Sequence, residues 1–116
     1  MEATALEGLL QELRRGSVVV ACLTVLTVPA YGYTLSRRLE QAGFAVEQNT
    51  LYPLLRRLEA QGLLASEWNT DEARPRKFYR TTPDGERVAA ALRDDLDRMR
   101  AGLAELKEGG RNELGH

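Results

Sequence analysis

The sequence predicts a mostly α chain with a small β part, an α+β fold, on three observations. Leucines and other apolar residues recur at helical spacing in several stretches. Two strand-like runs enclose a polar loop that contains a proline. A last apolar seam steps by fours and threes, as one side of a long helix would. With 116 residues, 43% of them hydrophobic, the chain suits one small domain with its own core and little room for a second.

Leu6, Leu9, Leu10 and Leu13 stripe a short helix from about Ala3 to Arg15, which Gly16 is expected to break. Ser17 is then a candidate N-cap for SVVVACLTVLTV. That segment has two readings. Its β-branched residues favour a strand. Its length and cap favour a buried helix that ends ahead of Pro29. Tyr31 to Gln41 follows, with Leu35 and Leu39 four apart and Gly43 as a stop, and reads as a second helix. AVEQN is a short link to TLYPLLRRLEAQG, where Leu51, Leu54, Leu55 and Leu58 form a third stripe ending at Gly62. Helix, short link, helix and glycine stop is the order of a helix-turn-helix. LLASEWN and RKFYRTT then read as a hairpin around TDEARP. Thr82 caps the last helix, and Pro83 takes its favoured first position. Val88, Leu92, Leu96, Met99, Leu103 and Leu106 form its seam, and GGRNELGH reads as a frayed end.

Pro53 stands among the leucines of the third helix. A proline is harmless in the first turn, where the N–H has no partner in any case. Its presence predicts a helix start near Gln48 to Thr50. At about 100° per residue, Asn49, Pro53, Arg56 and Ala60 then cluster opposite the leucines, flanked by Tyr52 and Arg57. An apolar back with a polar, basic N-terminal front is the pattern of a helix that reads bases in a groove. Asparagine pairs with adenine, and arginine with guanine or phosphate. A solvated helix face is the competing reading, because surface arginines are common.

Charge supports the first reading by its placement. Formal net charge is only −1, yet RPRKFYR carries four positive charges and no negative one, while DDLDRM and the end of the chain hold much of the acid. Arg74, Arg76 and Lys77 would sit on the hairpin, where they suit phosphates or a minor groove. Other classes are poorly served. No apolar run reaches the roughly 18 residues of a membrane span. The start of the chain has no secretory pattern. Cys22, the only cysteine, lies in VVVACLTVL and reads as a small buried hydrophobe, which suits a reducing cytoplasm. His116 is the only histidine and lies at the last position, so neither a zinc site nor a Cys–His pair assembles. Asp94, Asp95 and Asp97 read as a solvated face. No catalytic residue, metal ligand or cofactor is expected.

YGYTLSRRLE, NTLYPLLRRLEAQGLLASEW and PRKFYRTTPDG together resemble the PadR family of bacterial transcriptional regulators, over roughly Leu10 to Gly85. The resemblance implies a winged helix-turn-helix with an N-terminal helix and a C-terminal dimerisation helix, and it turns VVVACLTVL toward helix. It implies a winged DNA-binding domain over residues 1–82, a dimerisation helix over 83–108 and a disordered tail over 109–116. The recognition helix matches Asn49 to Gly62 and the wing Asn69 to Lys77. Expected DNA-binding residues are Asn49, Thr50, Tyr52, Arg56, Arg57, Arg74, Arg76 and Lys77. Leu6, Leu9, Leu13, Val88, Leu92, Leu96, Met99 and Leu103 are the expected dimer residues. Tyr31 and Tyr33 match a motif that opens the second helix and supports the recognition helix, with Tyr33 read as packing. Glu47 and Asn49 depart from the serine and glycine common in the family and put a negative charge near DNA. Trp68 reads as core at the base of the wing. The implied partners are double-stranded DNA, a second copy of the chain and a small-molecule effector of unspecified chemistry, with no membrane. The last helix lacks aromatic residues, which argues against an aromatic sandwich between subunits. The implied role is a cytoplasmic, nucleoid-associated repressor on a pseudo-palindromic operator. The alternative is a winged-helix module that binds proteins without specific DNA contact.

Overall fold

The computed structural model describes residues 3–71 and 73–114, with side chains as far as 110. The first helix, α1, runs unbroken from Ala3 to Val25. Gly16 does not end it, and Ser17 caps nothing: its Oγ donates back to the Arg14 carbonyl at 2.9 Å. A mid-helix glycine costs about 1 kcal/mol. Burying Val18, Val20, Cys22 and Leu23 just beyond it outweighs that. The helical reading of VVVACLTVL therefore holds. The helix stops four residues short of Pro29, in a turn at Leu26 and Thr27.

After a two-residue strand, β1 (Ala30–Tyr31), comes α2 (Gly32–Gln41). It begins one residue later than expected, because Tyr31 is extended and pairs with the sheet. The third helix, α3, spans Gln48–Ala60. Both α2 and α3 end in the same way. Gly43 (φ 90°) and Gly62 (φ 79°) adopt the left-handed geometry that glycine takes without strain. Phe44 N–H then donates to Leu39 O at 2.7 Å, and Leu63 N–H to Leu58 O at 2.9 Å, closing a Schellman turn at each end.

Pro53 is not in the first turn of α3. The helix starts at Gln48, within the expected range, so Pro53 is its sixth residue and lies in the second turn. The ladder has already begun there, with Leu51 N–H donating to Glu47 O at 2.9 Å. The missing N–H removes the donor that the Asn49 carbonyl would otherwise receive four residues on. Leu51, Leu55 and Leu58, buried to 1% exposure or less, hold the helix in place regardless.

Strands β2 (Leu64–Asn69) and β3 (Arg76–Thr81) form the expected hairpin, and β1 adds to the far side of β3 in the order β1-β3-β2. The register pairs Ser66 with Tyr79 and Trp68 with Lys77. Thr81 closes the sheet onto α1. Its N–H donates to Leu26 O and its hydroxyl to Leu23 O, each at 2.7 Å, which satisfies carbonyls at the end of that helix. Thr82 caps the last helix, α4 (Pro83–Leu114), as expected, accepting from Gly85 N–H at 3.0 Å and donating to Gly62 O at 2.7 Å. The backbone of α4 is helical to Leu114, and residues 115 and 116 of the frayed end expected over 109–116 lie outside the described residues.

The core joins Leu23, Leu26, Leu35, Leu39, Leu51, Leu55 and Leu58 to Leu64, Tyr79 and Ala89. Cys22 is fully buried, and burial pushes its thiol up from 9.0 to about 12. Two helical arms leave this body. Leu6, Leu9 and Leu13 on α1 are 49–75% exposed, as are Met99, Leu103 and Leu106 on α4 at 53–73%. Val88 packs against the core, Leu92 is half-buried and Leu96 is 38% exposed, so the seam is covered at one end only. The radius of gyration is 17.9 Å. A compact chain of this length has about 13 Å.

Candidate nucleic-acid interface

The outward face of α3 emerges as the sequence predicts. Asn49, Pro53, Arg56 and Ala60 are exposed, with Thr50 and Arg57 beside them. Nothing but helical period is needed for this, because the leucines opposite are fixed in the core. Tyr52 differs from the rest of the expected set. It is half-buried and packs against the core. Its ring covers Gly32, where an added Cβ would lie 2.6 Å from the Tyr52 hydroxyl oxygen. The glycine of the YGY motif thus lets α3 approach the start of α2.

The wing is held against this helix from two sides. On one face of the hairpin, Ser66 Oγ donates to Glu59 Oε2 at 2.5 Å, and Lys77 Nζ lies 3.6 Å from Glu59 Oε1. Glu59 belongs to the last turn of α3, so a single carboxylate grips both strands. Lys77 also lies over the Tyr79 ring, at 5.4 Å from its centroid. On the other face, Tyr31 receives the Asn69 amide on its hydroxyl at 2.7 Å. The Arg76 guanidinium stacks over the Tyr31 ring at 4.8 Å, and Phe78 meets that ring edge-on. Asn69 Oδ1 accepts from Asp71 N–H at 3.0 Å and sets the first bend of the hairpin loop. Arg74 and Arg76 are exposed at the far end of the hairpin.

Two expectations are corrected. Trp68 is not core: it is 63% exposed, because it lies beyond Ser66 toward the hairpin tip, where no helix covers the strand. Tyr33 does not pack: it is 59% exposed on the surface of α2, with the Arg37 guanidinium 5.9 Å from its centroid. Glu59, Ser66 and Asn69 were not foreseen as site-forming residues. Their contacts join positions 7 to 38 apart, and no local pattern encodes them. Tyr31 was visible through its motif, though its contacts are with the wing.

Among the described residues, no group of His, Cys, Asp and Glu could hold a metal ion. No described helix is long and apolar enough to cross a membrane.

This arrangement has close counterparts. Residues 22–91, more than half of the chain, match the transcriptional regulator PadR-like family. A crystal structure of a PadR family transcriptional regulator from Eggerthella lenta superposes with a TM-score of 0.84 at 46% identity, covering 89% of this chain and 92% of that one. A PadR-like transcription factor of Bacteroides fragilis gives 0.71 at 29% identity, over 85% and 98% of the two chains. The transcriptional regulator Rv3488 of Mycobacterium tuberculosis is 45% identical over 76 residues. That match spans 66% of this chain and 64% of Rv3488, just under two thirds of the relative's length. With a winged helix-turn-helix in place and the family matched across it, the chain belongs to the PadR-like family of transcriptional regulators.

Proposed function

We propose that this regulator is a homodimeric repressor that binds a pseudo-palindromic operator through α3 and the wing. The observation that carries the proposal is the Glu59 grip. It ties a hairpin bearing Arg74 and Arg76 to a helix whose free face bears Asn49, Thr50, Arg56 and Arg57. Base edges are assigned to Asn49 and Arg56, each worth about 1–3 kcal/mol of discrimination. Phosphates are assigned to Thr50, Arg57, Arg74 and Arg76. Tyr52 and Lys77 act mainly by support, since one packs on Gly32 and the other faces Glu59.

The dimer is proposed from the two arms. Leu92, Leu96, Met99, Leu103 and Leu106 repeat at coiled-coil spacing along a helix of 32 residues, about 48 Å long. One body cannot cover that seam, and the exposed leucines of α1 offer a matching apolar surface on a second copy. Two recognition helices would then meet the duplex about one turn apart.

Sequencing DNA fragments selected by the purified protein tests both parts. A symmetric site with half-sites about one helical turn apart is expected. Recovery of no preferred sequence, alongside stable capture of a protein partner, would instead favour the protein-binding module.

A further inference from the structure

Trp68 is the only tryptophan in the chain and is 63% exposed. Leaving most of an indole in water forgoes the apolar stabilisation that burial would provide. Its position in β2 demands only a strand residue, and a polar one would fit.

The register fixes which way the ring stands. Trp68 pairs with Lys77, and Ser66 with Tyr79, so these four share one face of the hairpin. Ser66 and Lys77 meet Glu59 on that face, and Tyr79 is buried beneath it. The indole therefore stands on the α3 side of the wing, between the Glu59 grip and the hairpin loop with Arg74, whereas Arg76 turns to Tyr31 on the other face. Lys77, its neighbour across the strands, turns to Glu59 and the Tyr79 ring.

We infer that Trp68 is a DNA-contacting residue of the wing, packing its indole on the sugars of one strand with Nε1–H directed to a phosphate oxygen. This rests on the DNA-binding role proposed above. The duplex is chosen as occupant for two reasons. The ring stands beside the Glu59 grip on the α3 side of the wing, and exposed Arg56, one turn before Glu59 on α3, and exposed Arg74 in the hairpin loop supply cations that complement phosphate. An apolar ring beside the cations adds contact area with the sugars, and it adds no charge. Its effect should be the same for every sequence, because sugars carry no base identity.

A lone tryptophan makes the test direct. Binding of a labelled mixed-sequence duplex at low salt is followed by anisotropy. Acrylamide quenching of Trp68 is measured in parallel with the unlabelled duplex. Saturating DNA should lower the quenching constant several-fold. Trp68→Ala should weaken binding about tenfold, and Trp68→Phe by less, with the slope of affinity against salt unchanged in both. Undiminished quenching in a complex that anisotropy shows to be formed would overturn the inference and leave the DNA-binding role standing. So would wild-type affinity in Trp68→Ala. Quenching that falls with protein concentration in the absence of DNA would place Trp68 in a subunit contact and also overturn it. No rise in anisotropy at all would remove the DNA-binding role, and this inference with it.

Discussion

The winged body and the helical arms use the same apolar residues to opposite effect. In the body, Leu35, Leu39, Leu51 and Leu55 have no exposure at all. In the arms, Leu13 and Leu106 are 75% and 73% exposed. Both sets follow helical spacing, and both helices that form the arms have their other halves in the core. The difference lies in what stands opposite. Body leucines are enclosed by the shared core of several elements, whereas the arm leucines stay between 38% and 75% exposed. Helical periodicity says which side of a helix is apolar, and the number of other elements within reach decides whether the same molecule covers it.

The largest test of this contrast is to charge one arm. Met99→Asp combined with Leu103→Asp should turn a dimer into a monomer by light scattering. It should lower operator affinity by about 10²–10⁴-fold, because two linked half-site contacts become one. Melting of the body should persist, since neither residue belongs to the core. A dimer that survives this change would move the interface away from the seam.

The closed nature of the body can be read at Cys22. Its thiol is pushed from 9.0 to about 12 by burial, so the folded state keeps the proton while the unfolded chain releases it above pH 9. The associated stability is fully present below pH 9 and is lost as pH rises toward 12. It amounts to at most about 4 kcal/mol. Denaturant unfolding across that range should show the decline, and Cys22→Ala should flatten it. At neutral pH the thiol should resist alkylation until the protein unfolds.

Smaller effects separate two glycines where the body is tightest. A Cβ at Gly85 would lie 2.1 Å from the Leu63 carbonyl oxygen, a backbone atom that cannot move alone. Gly85→Ala should cost roughly 1–3 kcal/mol in urea denaturation. At Gly32 the obstacle is the Tyr52 ring, which can shift. Gly32→Ala should cost less stability, yet weaken DNA binding by tilting α3. Equal losses in both would show that Tyr52 is as fixed as backbone.

Much of the body was legible in the sequence. Glycine stops at Gly43 and Gly62, the Thr82 cap and the leucine stripes are local signals with local causes, and they placed α2, α3, the hairpin and the start of α4. Three of the failures share a cause: a distant contact outweighed a local preference. Gly16 is tolerated because core burial begins at Val18. Pro53 sits past the first turn because Leu51, Leu55 and Leu58 hold the helix. β1 is two residues long and exists through its pairing with β3. At the candidate site, the free face of α3 follows from period alone. The Glu59 grip, the Tyr31 support and the exposure of Trp68 depend on how the hairpin lies against two helices, which no spacing along the chain records.

Salt dependence of affinity for the selected operator tests the central assignment most directly, with wild type, Arg74→Ala and Arg76→Ala compared. If α3 and the wing meet DNA together, affinity falls steeply and linearly on logarithmic axes, and each substitution makes the slope shallower by about one per contacted phosphate. A wild-type affinity indifferent to salt, or slopes that neither arginine alters, would contradict it.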